Sequence, residues 1–278
     1  MHMTYGWLKD YPDIRDYTLD HPDIQTHLKK LSPKKTVALP AKTDLRKWCS
    51  PIENQGQLGA CTAHAGVGML EYFEKRAFGN YLDASRLFLY KATRSLARQT
   101  GDTGAYLRTT MEALATFGVP PEDYWPYDIT QFDVEPTAFC YSFAEQYRAT
   151  HYFRLDPPHT APDILLNTIK TQLAAGLVMM FGFTVYSSIS EASTTGEIPY
   201  PGKGEKVLGG HAIATVGYDD SKTIGGQKGA LLIRNSWGTT WGEAGYGWLP
   251  YAYVLNGLAT DWWALVKAEW LDTGAFGD

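Results

Sequence analysis

The 278-residue chain has a formal net charge of −5, with 44% hydrophobic and 20% charged residues, a composition that suits a globular protein with a sizeable core. Its basic residues are scattered, the densest pairs being Lys29-Lys30 and Lys34-Lys35, so the concentrated basic face of a nucleic-acid binder is missing. The longest uncharged stretch, Thr171 to Ser190, is interrupted by Gly176 and Gly182 and carries Gln172, Thr184 and several serines, which reads as a helix end and a core strand rather than a membrane span.

Residues 1–40 differ from the rest of the chain. Pro12, Pro22, Pro33 and Pro40, dense charge and weak periodicity predict an extended arm. Met1-His2-Met3-Thr4 lacks the basic start and apolar run of a signal peptide. His2-Met3 is compatible with a cloning scar, so the compartment stays open, secreted or periplasmic locations included. The globular part is predicted to begin near Thr43-Asp44-Leu45-Arg46. Helices are predicted from Ala60 to Phe78, closed by Gly79-Asn80, then over Ser85–Ala97 and over Tyr106–Phe117, the last stopped by Gly118 and Pro120-Pro121. Beyond about residue 150 strands dominate: Val178–Val185, Ala212–Tyr218 and Ala230–Arg234, with one helix over Asp163–Ala175. Ser187–Gly209 is polar and glycine-rich and reads as a long loop. Helices first and strands second predict an α+β chain of two lobes. No internal repeat is visible.

Three cysteines, Cys49, Cys61 and Cys140, are too few for a disulfide framework, and their spacing fits no zinc site. No metal and no cofactor are expected. The sharpest local signal surrounds the middle one, Asn54-Gln55-Gly56-Gln57-Leu58-Gly59-Ala60-Cys61. A glycine-containing loop delivers Cys61 to the first turn of a predicted helix, where unpaired N–H groups and the helix dipole favour a thiolate. Gln55 stands far enough upstream for its amide to turn back and donate to an oxyanion. The competing reading is a buried, inert cysteine. A second signal is Gly209-Gly210-His211, where a histidine enters an otherwise apolar strand; alone, it reads as readily as a structural histidine. A third is Arg234-Asn235-Ser236-Trp237-Gly238, in which an amide leaves a buried strand beside an indole, or else a tryptophan-rich core turn. A nucleophilic thiol needs a base, and the base needs an orienting group. Cys61, His211 and Asn235 occur in that order and far apart in sequence, which suits elements facing each other across a cleft.

Taken together these motifs resemble the papain family of cysteine peptidases, marked by a Gln-Gly…Gly-x-Cys loop, a Gly-His before an apolar strand, and the run Asn235-Ser236-Trp237-Gly238…Trp241-Gly242-Glu243-Ala244-Gly245-Tyr246. A bacterial branch of that family shares the Tyr5-Gly6-Trp7 and Asp13-Ile14-Arg15-Asp16 arm, Asp44-Leu45-Arg46, Cys49-Ser50-Pro51 and Val207–His211 as well, so the resemblance spans nearly the whole chain. It implies a papain-like two-lobed fold, a helical lobe and a β-barrel-like lobe with the active site in the cleft between them. The implied division is an arm (1–40) followed by a peptidase domain (41–278). Within that domain the helical lobe covers about 41–150, the β-rich lobe about 151–250, and residues 251–278 pack back on the core.

The resemblance further implies a monomeric endopeptidase acting on peptide or protein substrates through a Cys61 thioester. Cys61 and His211 would rest as a thiolate–imidazolium pair, a pairing that brings a thiol pKa to about 3–4. His211 would be the acid/base, Asn235 would orient it, Trp237 would cover their hydrogen bond, and Gln55 with the Cys61 N–H would form the oxyanion hole. Gly104, Gly210 and Trp237 are the expected substrate contacts. Leu58 replaces a disulfide-forming cysteine of the family, Thr62 replaces the aromatic residue that usually follows the nucleophile, and Gly101-Asp102-Thr103-Gly104 stands for its Gly-Gly wall. An exopeptidase on the same scaffold and a catalytically silent peptide- or ligand-binding module are the alternatives. The arm is expected to lie across or beside the cleft as a short inhibitory pro-segment, its rival being a permanent strap. His64 is read as structural, Asp219-Asp220 as a solvated turn, and a Cys49–Cys140 disulfide is left open.

Overall fold

The computed structural model describes residues 4–29, 38–149 and 151–277; the rest of the arm, including Lys34-Lys35, lies outside the described residues. The central helix, α2 (Cys61–Phe78), follows a short arm helix, α1 (Pro22–Leu28). Small residues let α2 be enclosed on all sides: a Cβ on Gly66 would press on Leu114 and Thr110, and one on Gly68 on Arg234. The helix stops at Gly79, whose φ of 79° closes it in the left-handed conformation that glycine adopts without strain. Two more helices pack on it, α3 (Arg86–Leu96), capped by the Ser85 hydroxyl accepting from the Phe88 N–H, and α4 (Leu107–Thr116). Farther along come α5 (Ala138–Ala144) and α6 (Pro162–Ala174). No described helix is long and apolar enough to cross a membrane.

The strands, in chain order, are β1 (Trp7–Leu8), β2 (Lys42–Asp44), β3 (Ala105–Tyr106), β4 (His151–Arg154), β5 (Met179–Tyr186), β6 (Val207–Ile224), β7 (Gln227–Arg234), β8 (Tyr246–Pro250) and β9 (Ala259–Val266). An antiparallel sheet runs β4-β9-β5-β6-β7-β8, with β2 added alongside β6. Its two-sided burial explains why β5 and β7 read as near-continuous apolar runs. The expected α+β architecture is present.

Several details differ from the sequence reading. The arm is not merely extended: it holds α1, whose Ile24 is fully buried, and β1, which pairs in parallel with β3. Within the expected Ser187–Gly209 loop lie a 3₁₀ turn (Ser187–Glu191), a helical turn (Ala192–Thr195) and the start of β6. Asp219 and Asp220 belong to β6 and meet Lys42 and Lys170 at 3.1 and 2.7 Å, so they are not a free turn. The C-terminal stretch does more than pack back, because β9 is inserted between β4 and β5. Each of these elements is fixed by partners distant in sequence, to which local periodicity is blind.

Candidate active site

The loop before α2 is held at both ends. Gln55 is fully buried; its backbone N–H donates to the Ser236 carbonyl at 2.9 Å, and its Oε1 accepts from the Ser236 hydroxyl at 2.6 Å. With Oε1 so committed, Nε2 donates to the carbonyls of Leu58 (2.9 Å) and Thr4 (3.2 Å). Asp102 grips the loop from the other side. Its carboxylate accepts from the Gly59 N–H (3.0 and 3.1 Å) and from the Tyr90 hydroxyl. A polar clamp therefore ties the loop carrying Leu58 to the Gly101–Gly104 turn. Charge-assisted bonds of this kind are stronger than neutral ones.

Cys61 opens α2 and is fully buried. His211 sits on β6 opposite Phe183 of β5. At 2.8 Å it bonds through Nε2 to Asn235 Oδ1, the oxygen that also accepts from the Ser236 N–H at 2.8 Å. That second donor fixes the amide orientation, so Nε2 carries the hydrogen and Nδ1 keeps the lone pair. Trp237 stacks on the imidazole with centroids 4.4 Å apart and planes 20° from parallel, and Trp241 braces it edge-on. The His211–Asn235 bond is thereby shut away from water. Nδ1 is buried and has no hydrogen-bond partner among the described residues, the Cys61 thiol included.

The cleft between these groups is filled by the arm. Gly6 lies so close that a Cβ there would come within 2.0 Å of the Gly59 carbonyl oxygen, and its own carbonyl accepts from the Ala105 N–H at 2.8 Å. Gly104 is needed for the same approach, since a Cβ on it would stand 2.3 Å from the Gly6 oxygen. Tyr5 rests edge-on over Trp237, and the Trp7 indole takes the space above Gly182 and Gly210. At the bottom of that space the Trp7 Nε1–H donates to Asp261 Oδ2 at 3.0 Å. Asp261 also accepts from Trp263 Nε1 and lies 3.3 Å from Arg154; burial pushes its carboxyl up to about 6 against these donors.

Enclosure acts on both reacting groups. Burial pushes the Cys61 thiol up to about 11, although backbone N–H groups of Ala212, Gly6 and Thr62 pull the other way. Burial pulls His211 down to about 4, opposed by its bond to Asn235. Both shifts disfavour ions. With the arm in place, burial in the covered cleft opposes the ion pair that the resemblance implies.

Of the residues singled out in the sequence, Gln55, Gly104, Gly210, His211, Asn235 and Trp237 all line this one region with Cys61. Two contributors were missed, Ala105, which donates to the arm, and Asp261, each a common residue type in an unmarked stretch; Asp102 lay within the Gly101–Gly104 segment already singled out, but its grip on the Gly59 N–H was not foreseen. His64 is buried with Nδ1 bonded to the Ala60 carbonyl at 3.0 Å and is held neutral by burial, down to about 3. Cys49 and Cys140 are buried free thiols and form no disulfide.

A thiol at a helix start, an imidazole held by an amide and a second amide donor nearby make up the equipment of a thiol hydrolase. The comparisons specify the class. A family model described as papain family cysteine protease matches residues 39–259. An uncharacterized peptidase C1-like protein of Acanthamoeba polyphaga mimivirus is 33% identical over 94% of this chain and 86% of its own length. Chymopapain of Carica papaya is 29% identical over 71% of this chain, which spans 50% of that protein. Among solved structures, xylellain, a cysteine protease from Xylella fastidiosa, superposes with a TM-score of 0.76 at 33% identity, covering 95% of this chain and 96% of that one. The chain belongs to the papain family of cysteine proteases and is a cysteine-type peptidase.

Proposed function

We propose that the chain is an endopeptidase that cleaves peptide bonds through a Cys61 thioester, and that the arm inhibits it from within. Cys61 attacks the carbonyl, and His211 Nδ1 takes the thiol proton and later returns it to the leaving amine. The Asn235 amide keeps the imidazole oriented, and the Gln55 amide with the Cys61 N–H receives the oxyanion. Water then attacks the thioester, releasing the acid and the free thiol.

One observation carries this reading. The cleft already binds an extended peptide across Cys61: the Thr4 carbonyl lies on Gln55 Nε2, Gly6 beside the thiol, and the Gly6 carbonyl on the Ala105 N–H. The arm passes Cys61 with residues on both sides, which favours an internal cut over removal of terminal residues. Arm and substrate compete for the same donors, so the closed form is inactive. In the open form, water can solvate the thiolate and the imidazolium that the covered cleft disfavours.

Intact-mass analysis after treatment with an epoxide thiol inhibitor tests it, using wild type, Cys61→Ala and Gly6→Ala. A single adduct that is slow on wild type, fast on Gly6→Ala and absent on Cys61→Ala supports the reading. A folded Gly6→Ala protein that exposes the cleft yet never reacts would remove the peptidase mechanism.

A further inference from the structure

Beyond the cleft the arm makes a second contact, and this one is ionic. After β1 the chain runs through Asp10 and Tyr11 into a turn, closed by the Asp16 N–H donating to the Asp13 carbonyl at 3.0 Å and the Asp13 N–H donating to Asp16 Oδ2 at 2.9 Å. The turn faces Ile14 and Arg15 outward and Asp16 inward, leaving the Asp16 side chain 5% exposed. Arg108 on α4 meets the Asp16 carboxylate with two prongs, Nε to Oδ1 at 2.7 Å and Nη2 to Oδ2 at 2.9 Å. The same guanidinium pairs with the Asp10 carboxylate through Nη1 and donates to the Tyr11 carbonyl through Nη2 at 2.7 Å. Its back lies over the Trp263 ring, 5.6 Å from the centroid.

Two arginines border this region, and they differ. Arg154 is held by the body through Asp156 at 2.9 Å and Asp261 at 3.3 Å, and only additionally by the arm. Arg108 has no such second allegiance. Among the described residues, every side-chain hydrogen bond and ion pair it makes goes to the arm. A two-pronged guanidinium–carboxylate pair with little exposure is among the stronger polar contacts a protein makes. Opening the arm would strip Arg108 of all these partners and leave Arg154 paired.

We propose that Arg108 is the catch of a latch: Asp10 and Asp16 close on it, and their release from it is what lets the segment in the cleft come away. This rests on the reading of the arm as an inhibitory segment and adds where its hold is decided. Thr4–Leu8 holds only a two-residue strand pairing with β3, and local opening of so short an element is ordinarily cheap. The pairs at Arg108 add directly to the closed state because they cannot survive its opening.

The test uses a reporter independent of catalysis. The Ala105 N–H is bonded to the arm's Gly6 carbonyl, so its hydrogen exchange measures arm release, with the Leu231 amide of β7 as the control for global opening. Arg108→Gln and, leaving the body untouched, the double variant Asp10→Asn/Asp16→Asn should speed Ala105 exchange about tenfold or more with Leu231 unchanged. Cys61 epoxide labelling should accelerate in parallel. The swap Arg108→Asp/Asp16→Arg should recover part of the protection. Ala105 exchange at the wild-type rate in both loosened proteins, while Trp7→Ala speeds it, would place the hold in the cleft alone and overturn the latch. Faster Ala105 exchange without any Cys61 labelling would keep the latch and sink the peptidase reading instead.

Discussion

The arm reaches the body twice, by opposite physical means. Between Thr4 and Leu8 it is held by shape: Gly6, Gly104, Gly182 and Gly210 leave room for backbone and indole, and each lacks a side chain because something of the arm, or of the loop it touches, stands there. Between Asp10 and Asp16 it is held by charge, through carboxylates on Arg108 and Arg154. The first contact tolerates no added atom. The second tolerates movement but not loss of charge. A peptide-binding cleft recognises main chain at close approach, while a tether outside it needs only to be strong and reversible.

The largest effect is expected at Gly6, in the contact held by shape. A methyl group there meets the Gly59 carbonyl, so Gly6→Ala should drive the arm out and raise the rate of Cys61 labelling on the order of a hundredfold, as expected when packed backbone has no space to give. Acid comes next. His211 and His64, at about 4 and about 3 when folded against an ordinary value of 6.5, are buried neutral. Unfolding lets each take a proton, so their stabilising contribution is complete above pH 6.5 and is lost as pH falls towards 4 and then 3. For His211 alone the linkage is about 3 kcal/mol. Asp261, with its carboxyl pushed up to about 6, shifts stability the opposite way over the same range. The measurement therefore compares wild type with His211→Gln by chemical denaturation at pH 7 and at pH 4.5; a difference between the two proteins that does not change with pH would contradict the depressed His211 pKa.

Trp7→Phe probes the same shape-held contact more gently. It keeps most of the ring but removes the donor to Asp261, a bond to a charged acceptor whose loss is worth about 1.5 kcal/mol or more. Labelling should therefore rise roughly tenfold, measured by the same intact-mass time course. The smallest effect falls at the edge of the charged contact. Arg15→Ala breaks the Arg15–Asp13 pair, which lies in solvent, and should change labelling less than about twofold. A large effect there would mean that the turn itself, rather than Asp16, carries the hold.

How much was legible beforehand depended on how local the signal was. The helix from Cys61 to Phe78 was readable within a residue, because a glycine loop, small residues and a terminal Gly79 write it in one stretch. The sheet was less readable. β8 and β9 carry no strict alternation, being buried on both faces, and β9 finds its place between β4 and β5 only through long-range pairing. In the site, Gln55, Cys61, His211 and Asn235 stood out because their neighbours are unusual. Ala105 and Asp261 did not: an alanine before a tyrosine and an aspartate before two tryptophans mark nothing by themselves, and Asp102 was noticed only as part of a glycine turn.

The sequence alone determined the chemical kit, a thiol at a helix start, an imidazole on a strand and an amide beside an indole, because each needs only its own few neighbours. The tertiary structure alone decided the state of that kit. Thr4, Gly6 and Trp7 enter the cleft because Ala105, Gln55 and Asp261 offer partners far away in the chain, and the burial they impose pushes the thiol up and the imidazole down. Burial is a property of the assembled chain, so no local stretch of sequence records it.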